Sequence, residues 1–255
     1  MRFIGRSLSA VVSAVGVAVV GVAVVGVVAV GVVVAVGVTT LGAVTAAAAN
    51  ERPSAAPLCP ACGHNLILNP GAEAGLGTNS DGVVKIPDWK QTNGFTAAQY
   101  AWSGGDLSPT TPGPKNRGKN YFYGGPSILG GPTANFSTGT QMITVAPGEI
   151  ATAKVTYLVS AWLGGLSDQG DQPTLRVTFE NSKAIALSTV KLGPVTEAQR
   201  DSTSELLFRH KTGAVPAGTA MVKVKLSMQR LSGSDNDGLA DDLRLVFSPP
   251  AGTAG

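Results

Sequence analysis

Between Val222 and Leu226 the chain reads Val222-Lys223-Val224-Lys225-Leu226, apolar and charged residues in strict alternation. Only an extended strand puts every second side chain on one face. This stretch therefore offers Val222, Val224 and Leu226 to a core and leaves the two lysines in water. Short apolar runs of related kind occupy residues 66–68, 83–86, 141–145, 153–162, 175–179, 186–190 and 243–247, separated by Gly, Pro, Asn and Asp. No segment carries a helical period of useful length; residues 197–208 have room for one helical turn or two. Eight short strands with turn signals between them predict an all-β sandwich or barrel. There is no internal repeat, and a long Gly/Pro-rich stretch covers residues 103–118.

The first 49 residues are of another kind. Residues 1–10 carry Arg2 and Arg6 and no acid; residues 11–38 are Val, Ala and Gly with one Ser; the segment closes on Thr45-Ala46-Ala47-Ala48-Ala49. A basic start, an apolar run and an Ala-x-Ala site are the layout of an export signal, with cleavage before Asn50. The apolar run also exceeds the roughly 20 residues that cross a bilayer, so an uncleaved anchor with the domain outside is the alternative. Cleavage is favoured because no charge flanks the run on its C-terminal side. Either route predicts a secreted, extracellular domain, with a membrane as partner only if the leader is retained. Residues 50–64 read as an Ala/Pro-rich linker, residues 65–248 as the sandwich, and residues 249–255 as a disordered tail.

The chain has 19 Lys and Arg against 16 Asp and Glu; without Arg2 and Arg6 the balance is close to neutral, and no basic block stands out. A nucleic-acid partner is not expected. The two cysteines stand as Cys59-Pro60-Ala61-Cys62. In an exported chain this spacing predicts a local disulfide. A redox pair would lie between a strand and a helix, whereas Pro53, Pro57 and Pro60 favour an extended segment. Zinc would need about four ligands, and only His64 is near.

Two motifs carry a family resemblance. The first is Asn65-Leu66-Ile67-Leu68-Asn69-Pro70-Gly71-Ala72-Glu73. The second runs from Val215-Pro216-Ala217-Gly218-Thr219 through the strand at 222–226 to Asn236-Asp237-Gly238-Leu239-Ala240-Asp241-Asp242-Leu243-Arg244-Leu245. Together they resemble the opening and closing strands of galactose-binding-like jelly rolls, the β-sandwiches of many carbohydrate-binding modules. The resemblance implies that the two ends of the domain lie side by side, and that Glu73 and Asp241 share a structural Ca²⁺. Such an ion takes about six to eight oxygens, carboxylates and backbone carbonyls together. Asp241 is in period-two register with Leu243, Leu245 and Phe247, so it is predicted to point inward and Asp242 outward. The same stretch allows two other readings: an autonomous calcium loop using Asp235, Asp237 and Asp241, or a plain Asp-Gly turn with no ion.

The residue inventory argues against catalysis. His64 and His210 are the only histidines, and no Gly-x-Ser-x-Gly elbow is present. Asp168, Asp171, Glu180 and Glu205 are available for glycoside hydrolysis, but their positions read as solvated loops and outer faces. Sugar-binding sandwiches stack pyranose rings on aromatic faces. Trp162 reads as core; Trp102, Tyr121 and Tyr123 stand at loop edges and are the ligand candidates. The expected function is a non-catalytic module that binds carbohydrate or a cell-surface glycan. The alternative is an extracellular protein-interaction or adhesion domain, and a glycoside-active hydrolase is the distant one.

Overall fold

The computed structural model describes residues 59–127, 135–146, 150 and 154–249. The chain divides into two units, Met1–Arg52 and Pro53–Gly255, and the described residues all belong to the second. The leader, the linker before Cys59 and the tail beyond Pro249 lie outside the described residues.

Ten strands are described: β1 (Lys90–Thr92), β2 (Thr96–Gln99), β3 (Asn120–Gly125), β4 (Phe136–Thr144), β5 (Thr156–Gly165), β6 (Gln172–Glu180), β7 (Ala186–Leu192), β8 (Glu205–Ala214), β9 (Met221–Gln229) and β10 (Asn236–Ser248). They form two antiparallel five-stranded sheets, ordered β1-β4-β9-β6-β7 and β2-β3-β10-β5-β8. From β3 onward, successive strands are shared between the sheets as β3-β10-β5-β8 and β4-β9-β6-β7, which is the nested Greek-key order of a jelly roll. The core between the sheets takes Val222, Val224 and Leu226 from β9, Leu175, Val177 and Phe179 from β6, and Val159, Ala161 and Leu163 from β5. The alternation that marked β9 in the sequence is the alternation that fills this core.

The two ends of the domain do meet. Leu66 N donates to Leu245 O at 2.8 Å and Gly63 N to Phe247 O at 2.9 Å. The opening segment is not a continuous strand, however; it touches β10 through isolated bridges, Cys62 to Phe247 and Asn65 to Val246. The Asn65 side chain stands in for missing ladder bonds, donating to Leu243 O at 2.9 Å and accepting from Leu245 N at 3.0 Å. Cys59 and Cys62 are joined by a disulfide. Residues 83–86 are not a strand either. Their backbone is held by side chains, Val84 N by Thr96 Oγ1 and Ile86 N by Gln91 Oε1. The helical turn allowed by the sequence is a short 3-10 turn at Glu197–Arg200, after which β8 begins.

The register of β10 breaks between Asp241 and Arg244, where Asp242 has a φ of 44°. The break is a β-bulge, an extra residue that shifts the faces by one. Ala240 and Leu243 therefore both enter the core between the sheets, three positions apart instead of two. Asp241 is buried, as expected, but on the opposite face. The period-two argument fails because it counts across a bulge.

That opposite face carries a second apolar cluster. Ala98, Tyr121, Tyr123, Leu206 and Leu239 project from β2, β3, β8 and β10 away from the first core and pack under Tyr100 and Leu107. The segment linking β2 to β3, residues 100–119, lies over them and is fastened to β8 where Leu206 N donates to Pro112 O at 2.9 Å. Both faces of β3 and of the first half of β10 are thus buried. At about 1.5–3 kcal/mol for each large apolar side chain taken out of water, this small cluster secures the loop.

Candidate functional site

The loop over the outer face decides the fate of the aromatic candidates. Tyr121 and Tyr123 are 0% and 4% exposed inside β3, so they cannot offer a ring face to solvent. The reason lies in the loop, which converts an expected outer surface into an interior. Burial pushes both phenol groups up, with the charge of Asp106 adding to the shift. Trp102 is half-buried, packed against the same cluster, and its indole lies against Gly104 and Gly105. The three do not form an open row.

A different row does. Trp162 on β5 faces Phe208 on β8 in direct register, ring centroids 5.4 Å apart. Phe208 stacks in turn on His210, at 5.5 Å and an interplanar angle of 26°. Phe208 is 46% exposed, His210 is exposed and Trp162 half-buried. Residues two apart on a strand share a face, so Phe208 and His210 lie on one side of β8 with Trp162 beside them. Trp162 is not a core residue; it borders the outer cluster. Lys154, Thr156 and Ser160 fall in period-two step with Trp162, so the alternation places it on the outer face; its apolar character alone suggests the core.

Glu73 and Asp241 are brought together. Both line a cavity of about 370 Å³ with Asn69, Gly71, Arg117 and Asp242. A Cβ placed on Gly71 would lie 3.1 Å from Asp241 Oδ1 and 4.0 Å from Glu73 Oε1, so the two carboxylates flank one point that only glycine leaves open. Glu73 Oε1 accepts from Lys119 N at 3.1 Å and Asn120 N at 2.8 Å. It packs on Gly118, whose φ of +67° and lack of a Cβ make room for it. Asp241 Oδ1 accepts from Asp242 N at 2.6 Å and Oδ2 from Tyr100 Oη at 2.8 Å. Burial pushes the Asp241 carboxyl up to about 8; the Tyr100 and Asp242 hydrogen bonds oppose this, and the Asp242 and Glu73 charges reinforce it.

Among the described residues no three Asp, Glu, His or Cys side chains gather closely enough to hold a metal by themselves. The donor set at Gly71 nevertheless fits a hard cation. Two carboxylates stand at one cradle, and a cation between them removes their mutual repulsion. The carbonyls of Asn69, Pro70 and Ala72 already accept hydrogen bonds, so its other oxygens would come from the carbonyls of Gly71 and Glu73 or from water.

Sequence reading missed a second acidic group at the opposite end of β10. Asp171, expected in solvent, is fully buried. Its Oδ1 accepts from Leu231 N and Ser232 N and its Oδ2 from Asp237 N. Asp235 Oδ1 accepts from Ser127 N. These acids order the turn between β9 and β10. The Asp237 carboxyl is pushed up by burial and then by the charges of Asp171 and Asp235; that of Asp106 is pushed up by burial and then by Asp237. Asp235 and Asp237 belong to this group and Asp241 to the other, so the autonomous loop reading is divided between two places.

A glycosidic acid must reach the oxygen it protonates. Of the four carboxylates expected to be available for it, Asp171 is fully buried and holds backbone amides.

The antiparallel sheets, the jelly-roll strand order and the pairing of the domain's ends define a jelly-roll β-sandwich. No family model matches the sequence and no curated protein matches it. Similar solved structures include TmCBM61 in complex with β-1,4-galactotriose, with 16% identity and a TM-score of 0.44 over 73% of this chain and 100% of that one. A family 16 carbohydrate-binding module has 17% identity and a TM-score of 0.39 over 71% of this chain and 99% of that one. The enzymatically active domain of bacteriophage CBA120 tailspike protein 4 has 11% identity and a TM-score of 0.43; this chain covers 21% of its length.

Proposed function

We propose that this chain is a secreted, non-catalytic carbohydrate-binding module that stacks a glycan on Trp162, Phe208 and His210 and holds a structural calcium ion between Glu73 and Asp241. The observation that carries the reading is the open ring row on β5 and β8. The apolar face of a pyranose packs on aromatic faces, and a strand-borne row holds them at fixed spacing on a rigid scaffold. Export follows from the leader's composition.

A calcium ion would supply positive charge where the buried Asp241 carboxylate and the exposed Glu73 carboxylate meet at one cradle. Glu73 and Asp241 would then join the opening turn to β10 as ligands of one ion. Tyr100 holds Asp241 in place from the loop side, and the amides of Lys119 and Asn120 hold Glu73. Affinity electrophoresis of the purified chain through gels containing β-1,4-galactan, xylan or soluble cellulose derivatives tests the function. Retardation by at least one polymer, lost in Phe208→Ala, is the expected result. Migration unchanged in all of them, or retardation that Phe208→Ala leaves intact, overturns it.

A further inference from the structure

The loop of residues 100–119 carries a second opening on the outer side of the same sheet. It encloses about 430 Å³ and is lined by Gln99, Tyr100, Pro109, Lys115, Arg117 and Lys119 among others, within the range of small-ligand sites. Three cations border it and no acidic side chain does. Lys115 and Lys119 are exposed, and the ion pair found among the described residues is elsewhere, between Arg244 and Asp242. Arg117 is held rigidly. Its Nε donates to Pro114 O and its Nη1 to Ser108 O, each at 3.1 Å, and its guanidinium lies 4.9 Å over the Tyr100 ring. Those bonds leave the Nη2 hydrogens for a ligand.

The nearest carboxylates, Glu73 and Asp241, line the neighbouring cavity, which shares Arg117 with this one. Glu73 packs behind Gly118 with its oxygens taken by the amides of Lys119 and Asn120, and Asp241 is screened by Tyr100. The opening therefore presents the charges of Lys115 and Lys119, with Arg117 shared between it and the neighbouring cavity, against an apolar wall. It lies over the same outer face as the aromatic row but toward the β2 border of the sheet, whereas the row is at the β8 border, so a chain-like glycan crossing the sheet would reach both.

We infer that this opening recognises an oxyanion carried on a saccharide, through Lys115, Arg117 and Lys119, so that the glycan bound by the sheet is an acidic one. The inference rests on the carbohydrate reading and narrows its ligand class. The shared chemistry is a negatively charged oxygen group beside a sugar ring, either a uronate carboxylate or a sulfate ester.

The test is affinity electrophoresis of the full chain in gels containing polygalacturonate, dextran sulfate or neutral β-1,4-galactan. Parent, Lys115→Ala/Lys119→Ala and Phe208→Ala proteins are compared, with thermal unfolding recorded for each to establish equal folding. The parent is expected to be retarded more by a charged polymer than by galactan. The double lysine variant should bind the charged polymer about tenfold more weakly, the combined loss of two exposed charge contacts. Polygalacturonate as the responsive polymer identifies a carboxylate; dextran sulfate alone identifies a sulfate ester. Charged-polymer binding that survives the lysine substitutions, or that only equals galactan binding, overturns the inference. If galactan binding persists and is lost in Phe208→Ala while charge has no effect, the carbohydrate reading stands and this narrower one falls. If no polymer retards the chain, both fall.

Discussion

Tyr100 donates its hydroxyl hydrogen to Asp241 Oδ2 at 2.8 Å, joining the loop over the outer face to the bulge in β10. Neither group is accessible to water as an alternative partner. Tyr100→Phe removes the donor and leaves a buried acceptor, which should lower stability by about 1–3 kcal/mol. Chemical denaturation in the presence of a chelator measures it; a midpoint equal to that of the parent would show that the bond contributes nothing.

The same carboxyl makes stability depend on pH. Its folded value of about 8 lies above the ordinary aspartate value of about 3.9. Between those limits the folded protein binds more protons than the unfolded chain, so stability falls as pH rises through that window. Asp106 and Asp237 are shifted in the same direction and add to the slope. Without divalent cations the melting temperature should drop from about pH 5 to about pH 8, and Asp241→Asn should make that drop shallower. An undiminished slope in the variant would assign the dependence to the other two acids.

Calcium reverses this expectation at neutral pH, because an ion between Glu73 and Asp241 favours both ionised carboxylates. At about one hundred times its dissociation constant it adds about 2.7 kcal/mol, or roughly 5–10 °C in melting temperature for a domain of this size. Gly71→Ala tests the cradle, since the new methyl would meet Asp241 Oδ1 at 3.1 Å. The calcium-dependent rise should shrink in that variant and vanish in Glu73→Ala. A rise that persists in both would place the ion elsewhere.

Phe208 separates binding from folding. With 46% of its surface already exposed, Phe208→Ala should change stability by less than about 1 kcal/mol. Loss of its ring should weaken glycan binding about tenfold. Trp162→Ala should weaken binding as well and also lower the melting point, because that ring borders the outer cluster. Equilibrium unfolding and affinity electrophoresis on the same samples distinguish the two effects.

The strands that face water on one side were legible. Val222, Val224 and Leu226 announce β9, and Leu243, Leu245 and Phe247 announce the second half of β10. Strands buried on both faces lose that alternation. Tyr121-Phe122-Tyr123 is such a case: Phe122 enters the core between the sheets and its two neighbours enter the outer cluster. The tyrosines therefore read as loop-edge residues. Glu73 and Asp241 could be paired because motifs at both ends of the domain carry them. The direction in which Asp241 points could not, because the bulge at Asp242 leaves no mark in composition. Phe208 and His210 lay in a run bounded by a helical turn, where strand periodicity starts too late to be recognised.

The position of β8 at the border of its sheet has one more consequence. A border strand has unpaired backbone groups along its free side, an invitation for a second copy to zip onto it. Here the strand alternates Phe208 and His210 with Arg209 and Lys211. Two copies approaching edge to edge would bring like charges together, whereas a chain lying flat across the rings would not meet that repulsion. The charges on this border strand thus discourage aggregation of the domain with itself.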